Sequence, residues 1–220
     1  VYKRDGARLQ AIYDGLDSAF LGFGPVYRLD TRFRRDGVIP HERFYRTYLG
    51  TSERPETIRD WLLLPEEALS TCTNGEVFED VPGDFSRMRQ SLLAYFPHDL
   101  WLKKIASRCR AASQHGQYNL ARARNRGFEV TAHYHAAQFA REIAALVFLL
   151  HRTYRPPAKW LFAALPGLGA MGSTVRDRLY ELVEAGRPEP MDAAVERCAE
   201  LCVGRLVELG LVRNQEPFLW

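Results

Sequence analysis

Apolar residues recur at three- and four-residue steps along most of this chain, and the pattern is strongest between Asp99 and Trp160. Over residues 98–124, Trp101, Leu102, Ile105, Ala106, Cys109, Ala112, Gly116, Asn119, Leu120 and Ala123 share one face of a predicted helix. Ala, Cys and Gly fill the middle of that face and make it thin, so a partner helix can approach closely or a ligand can use the space. A second helix is predicted over 129–152. It ends in Ile143-Ala-Ala-Leu-Val-Phe-Leu-Leu150, apolar on nearly every side, as a helix at the centre of its domain must be. Pro156 and Pro157 stop it, because proline cannot donate to the helical ladder and disfavours helix at the residue before it.

The flanking sequence reads as shorter elements. Leu9, Ile12, Tyr13, Leu16 and Phe20 predict a helix over 1–20, which Leu21-Gly-Phe-Gly-Pro25 breaks. Residues 26–30 and 36–40 read as short strands, and Phe44, Tyr45 and Tyr48 as one face of a helix over 41–49. Helices follow from Thr57, from Pro65 with its two acids, and from Phe85 to Tyr95, the last capped by Asp84 or Ser86. Pro166-Gly-Leu-Gly-Ala-Met-Gly-Ser173 reads as the most flexible loop, with helices predicted over 174–185 and 191–209 after it. The fold class is therefore mainly α: an antiparallel helical bundle with a small α/β remnant at the N-terminus. The domains divide as an α/β segment over 1–56 and a helical domain over 57–220.

Composition changes this picture little. The chain has 220 residues, 46% hydrophobic and 26% charged, as ordinary globular proteins do. Its 30 basic and 27 acidic side chains leave a net charge of +3, which argues against nucleic acid as a partner. Arg108, Arg110, Arg122, Arg124 and Arg126 crowd one span and Arg28, Arg32, Arg34 and Arg35 another; they read as solvated surface or as a pocket for phosphate or carboxylate. Cys72, Cys109, Cys198 and Cys202 form no Cys-x-x-Cys pair and read as reduced, mostly buried thiols of a cytoplasmic protein. No signal peptide is evident. The longest apolar run is about eight residues against the roughly 20 of a membrane span, so no membrane partner is expected.

Few residues have the spacing of known chemistry. His133 and His135 point about 200° apart on a helix and cannot share a metal, and no metal site is expected from them or from His151. Gly-x-Ser-x-Gly is absent, so a serine hydrolase has no support. Gly167, Gly169 and Gly172 have Gly-x-Gly-x-x-Gly spacing, but no strand precedes them. Arg110 and His115 form Arg-x-x-x-x-His, the pattern of helical ribonucleases in which a histidine acts beside a charge stabiliser. Gln117, Tyr118, Asn119 and Arg122 crowd one seam. They read either as a satisfied structural network or as one wall of a polar ligand pocket, with Tyr154 and Lys159 delivered from opposite and Trp160 beneath.

Asp60-Trp-Leu-Leu-Leu-Pro-Glu-Glu67, Thr73-Asn-Gly-Glu-Val-Phe78, Pro97-His-Asp-Leu-Trp-Leu-Lys103, Gly116-Gln-Tyr-Asn119 with Arg122, and Val147-Phe-Leu-Leu-His-Arg-Thr-Tyr-Arg-Pro-Pro-Ala-Lys-Trp160 follow one another in order. From about Ala19 to Glu184 the chain resembles a bacterial family, the domain of unknown function 4037. The resemblance implies a nucleotidyltransferase-like protein whose helical part is similar to the C-terminal domain of kanamycin nucleotidyltransferase. It implies magnesium and a nucleoside triphosphate as cofactors of the active whole, and a small-molecule substrate or nucleotide as partner, with a homodimer left open. The chain departs from that pattern in lacking a Gly-Ser turn followed by paired carboxylates. Gly172-Ser173 comes too late, and only Asp30 or Asp36 offers a third carboxylate. The expectation is that the metal-binding segment is missing from this chain or was lost. Three readings follow: a helical substrate-binding part lined by Gln117, Tyr118, Asn119, Arg122, Tyr154 and Lys159; a catalytically inactive binding or scaffold module; and a ribonuclease-like protein using Arg110 and His115.

Overall fold

The structure, a computed structural model, describes residues 2–16, 37–184, 188–213 and 216–219. It divides into two units, Val1–Ser52 and Glu53–Trp220. In the first unit the described elements are α1 (Tyr2–Asp14) and α2 (His41–Leu49). α2 buries Tyr45 and Leu49 and stops at Gly50, whose φ of 78° is the left-handed conformation that glycine adopts without a Cβ penalty. The expected α/β remnant is not found among the described residues. Residues 37–40 are irregular, and the Gln10 side chain, not a neighbouring strand, accepts the Val38 N–H at 2.9 Å. The other expected strand, 26–30, lies outside the described residues, as do Asp30, Asp36 and the arginines between 28 and 35.

The second unit is helical wherever it is regular. Its elements are α3 (Ile58–Leu63), α4 (Glu66–Thr73), α5 (Asp84–Leu93), α6 (His98–Ala112), a π-helix over Ser113–Leu120, α7 (Ala121–Asn125), α8 (Glu129–Leu150), α9 (Ala158–Leu161), α10 (Ala170–Glu184) and α11 (Pro188–Glu208). α3 opens with a reciprocal cap: Thr57 Oγ1 accepts the Asp60 N–H at 3.2 Å, and the Asp60 carboxylate accepts the Thr57 N–H at 2.8 Å. α8 is the centre, as its apolar sequence predicts. From Phe139 to Leu150 every residue but Arg141 is buried, and α6, the π-helix, α10 and α11 pack against it.

Three local readings are corrected. The single helix predicted over 98–124 widens in its middle into a π-helix, and Gly116 shows what this segment must fit: a Cβ there would stand 2.3 Å from the Phe139 ring. The glycine-rich stretch after Leu165 is no loose loop. Leu165–Leu168 is a short 3-10 turn and α10 begins at Ala170, before the predicted start. Gly172 lies against the Leu165 carbonyl, so close that a Cβ would come within 1.9 Å of the oxygen. The cap of α5 is Gly83, with φ 76°, and not Asp84 or Ser86. All four cysteines are buried and free, and burial pushes the thiols of Cys72, Cys109 and Cys198 up to about 12. Among the described residues no helix is long and apolar enough to cross a membrane.

Candidate functional site

α6 and its π-helical continuation run antiparallel to α8, and polar groups meet across them at matching seven-residue steps. Trp101 Nε1 donates to the Leu149 carbonyl at 2.8 Å, Arg108 donates to Glu142 at 2.7 Å, and His115 and His135 bring their Nδ1 atoms to 2.9 Å. Seven residues are about two helical turns, so each step returns to the same seam. Leu149 lies in the last turn of α8, where carbonyls lack i+4 helical partners, and its carbonyl accepts the indole as well as the Arg152 N–H at 3.1 Å.

The middle of the seam is ionic. Glu142 is only 5% exposed. Arg108 bridges it to Glu66 at the start of α4, whose carboxylate stands 3.0 Å away. Arg155 reaches Glu67 at 2.8 Å and Glu66 at 3.5 Å, and Lys104 stands 3.9 Å from Glu66. Burial works against the Arg108 charge, but the Glu142 hydrogen bond and charge, with Glu66 behind them, outweigh it and hold the guanidinium pKa above its usual value. Burial also pushes the Lys104 pKa down; Glu66 opposes the shift, and Arg108 and Arg155 reinforce it. Removing one member of such a buried group leaves an uncompensated charge, which is why the arrangement holds together.

Two donors at this cluster are left over. Tyr95 is 7% exposed and its hydroxyl has no hydrogen-bond partner among the described residues; the Arg155 Nε is likewise buried without a hydrogen bond. Burial first, and then the charge of Glu66, raises the Tyr95 pKa. Tyr95 has φ 71° and Arg152 φ 49°, both in the left-handed region that disfavours a side chain. Tyr95 stacks on Tyr154 with ring centroids 4.8 Å apart, and Arg152 lies 4.2 Å over the Trp101 ring. Strained backbone and unpaired buried donors are features that folding alone does not favour.

The far end of the seam is the histidine pair, His115 on the π-helix and His135 on α8, both half-buried. The Tyr134 ring packs edge-on against both imidazoles, with centroids 6.0 Å from His115 and 5.2 Å from His135. Burial and the neighbouring His135 push the His115 pKa down, with Glu142 opposing and Arg141 reinforcing. π-helical segments are frequent at functional sites.

The six residues expected to share a pocket are spread over the unit. Gln117 is a clamp: its amide donates to Glu196 at 3.0 Å and to the Pro217 carbonyl at 2.6 Å, and its oxygen accepts the Leu219 N–H at 3.2 Å. Tyr118 is exposed, bonded to Arg122 on the next turn and stacked under its guanidinium at 4.7 Å. Asn119 is half-buried. Tyr154 is buried in the aromatic cluster, its hydroxyl donating to the Leu92 carbonyl at 2.7 Å. Lys159 is exposed, 5.3 Å above the Trp160 ring.

The thin face of α6 does border open space. Leu102, Ile105, Ala106 and Cys109 line a cavity of about 570 Å³ closed by α11 and the C-terminal residues, with Arg110 on the same side. Another of about 660 Å³ lies between α10 and α11. None of the six residues lines either. Arg110 and His115 do not converge, since Arg110 faces that cavity while His115 faces α8. His133 and His151 each place Nδ1 on the carbonyl one turn back, at 2.8 Å. Among the described residues no three potential metal ligands gather.

Sequence reasoning named Arg108 only within a group of arginines, and Glu66 and Arg155 only within longer motifs; it passed over Glu142 and the pairing of the four. The signal was present: Glu142 is the acid directly before the apolar run Ile143–Leu150, and Arg108 lies midway between Trp101 and His115.

Residues 61–161 match the model of the family described as domain of unknown function (DUF4037). The matched span contains the whole seam from Trp101 to Leu149 together with Glu66, Tyr95 and Arg155. No curated protein and no solved structure matches the chain.

Proposed function

We propose that this chain, with a DUF4037 segment at its core, is the substrate-side helical part of a nucleotidyltransferase-like protein and holds a small polar or anionic substrate at the Glu66–Arg155–Tyr95 cluster. One observation carries the reading: the Tyr95 hydroxyl is a buried donor without a hydrogen bond, and the Arg155 Nε–H, 3.5 Å from the Glu66 carboxylate, is a second, on turns that hold Tyr95 and Arg152 at positive φ. A substrate hydroxyl suits that set, since its oxygen accepts from Tyr95 or Arg155 while its hydrogen donates to Glu66; a substrate carboxylate or phosphate suits the two donors.

Magnesium does not fit here. The Glu66 and Glu142 carboxylates already face Arg108, Arg155 and Lys104, and a hard cation needs several free oxygens. The triphosphate and its metal belong, in this reading, to a catalytic part of the assembled protein, and no step is assigned to them in this unit. A second reading, a binding or scaffold module without catalysis, draws support from the same pairing of every carboxylate in the cluster with a cation.

A thermal-shift screen tests the proposal with nucleoside triphosphates, with and without magnesium, and with polyols, aminosugars, phosphate and carboxylates. A ligand at one hundred times its dissociation constant stabilises the native state by about 2.7 kcal/mol. The expected result is a polar small molecule that raises the melting temperature of the wild type and not of Tyr95→Phe. A panel in which nothing shifts the wild type, or in which Tyr95→Phe responds equally, overturns the assignment.

A further inference from the structure

We propose that His115 and His135 form a two-imidazole chelate for a borderline divalent transition-metal ion of the zinc, nickel or copper class, with its remaining coordination positions open to water or a substrate donor. The proposal does not depend on the reading of the Tyr95 cluster. The two Nδ1 atoms face each other at 2.9 Å from separate helices. A tetrahedral ion with bonds of 2.0–2.1 Å needs its two nitrogens about 3.3 Å apart, so the rings have to part by about 0.4 Å and tilt until both Nδ1 lone pairs meet at the ion. Both helices belong to the core of the unit: α6 and the π-helix pack along α8, and Gly116 is seated under Phe139 one residue from His115. Ligands on such elements are pre-positioned.

The neighbouring histidines show that this placement is not the default for the residue type. His133 and His151 turn Nδ1 back onto their own helix. His115 and His135 instead turn Nδ1 toward each other across the seam, and the Nε2 of neither bonds a described residue. In the metal-free state one ring carries its hydrogen on Nδ1 and donates it to the other. On chelation through both Nδ1 atoms that ring moves its hydrogen to Nε2, so two neutral imidazoles bind the ion with no net proton released. Neutral imidazole suits zinc, copper and nickel, whereas magnesium and calcium prefer oxygen. Two protein ligands leave an open site rather than a closed structural one.

The test uses the whole chain with no affinity tag. Titration calorimetry with Zn2+ is expected to show one site per chain in the wild type, and Co2+ is expected to give the absorption of a tetrahedral ion. His115→Gln and His135→Gln each lose the saturable site, while His133→Gln keeps it. Should either pair variant unfold by circular dichroism, ring-nitrogen NMR of the wild type decides: Zn2+ must shift Nδ1 of both His115 and His135. Absence of a site in the wild type, retention of it in either folded pair variant, loss of it in His133→Gln, or unmoved Nδ1 signals overturns the proposal.

Discussion

The ring of Phe139 occupies the space in which a side chain at residue 116 would begin. A Cβ built on Gly116 falls 2.3 Å from one ring carbon and 2.9 Å from Cγ, so the ring cannot clear it by swinging its far edge. Phe139 is completely buried, which removes the other escape. Gly116→Ala is therefore expected to lose about 1–3 kcal/mol, the usual penalty of overpacking, measured from urea unfolding midpoints. A loss within about 0.5 kcal/mol, the scatter of surface substitutions, would mean that the π-helix and α8 slide apart freely.

Arg108 serves two carboxylates at once, Glu142 at 2.7 Å and Glu66 at 3.0 Å. Arg108→Met takes the hydrogen-bonded cation from both and is expected to cost about 3–5 kcal/mol, as breaking a buried pair does. Glu142→Gln should cost less, because Arg108 keeps Glu66 and the amide oxygen still accepts a hydrogen bond. Equal losses in the two variants would show that the carboxylates do not share the guanidinium. Replacing Arg108 and Glu142 together by apolar residues should recover most of the loss.

The helices were legible because burial imposes a period: Ile143–Leu150 could face only inward, and Pro156 and Pro157 could only end the run. The π-helix was not legible, and the close fit of its Gly116 to Phe139 joins residues on different helices that the sequence does not bring together. The glycine stretch misled for a related reason. Gly172 reads as freedom in the sequence, yet the structure uses its missing Cβ for contact with the Leu165 carbonyl. The polar residues were the hardest case. Gln117, Tyr118 and Arg122 crowd together in the sequence, whereas Glu66, Arg108 and Glu142 lie far apart in it and meet only through the antiparallel register of α6 and α8 and the placing of α4 beside them.

The Asp60 carboxylate, accepting the Thr57 N–H at the start of α3, carries a pH signature. The Thr57 backbone bond, then the Thr57 hydroxyl and the Glu56 N–H, hold its pKa below the ordinary value of 3.8. A depressed folded-state pKa adds stability that is complete above the unfolded value and disappears as pH falls through the folded one. The unfolding midpoint is therefore expected to drop below about pH 4, the unperturbed aspartate value, and Asp60→Asn to flatten that part of the profile while leaving a helix cap. A wild type and variant with parallel acid limbs would place the protonation elsewhere.

The unpaired hydroxyl of Tyr95 gives a sign that ordinary tyrosines do not. A buried tyrosine usually loses stability on conversion to phenylalanine, because a hydrogen bond goes with the oxygen. Here the oxygen has no partner among the described residues, and a buried polar group left unsatisfied costs about 1–3 kcal/mol. Tyr95→Phe keeps the stack on Tyr154 and the contact with Phe96 while removing that penalty. Without ligand it is expected to unfold at higher urea than the wild type. A binding group retained at the expense of stability is what a site predicts, since its partner arrives only with the ligand. A Tyr95→Phe protein less stable than the wild type would mean that the hydroxyl is already satisfied, and the substrate assignment at this cluster would lose its main support.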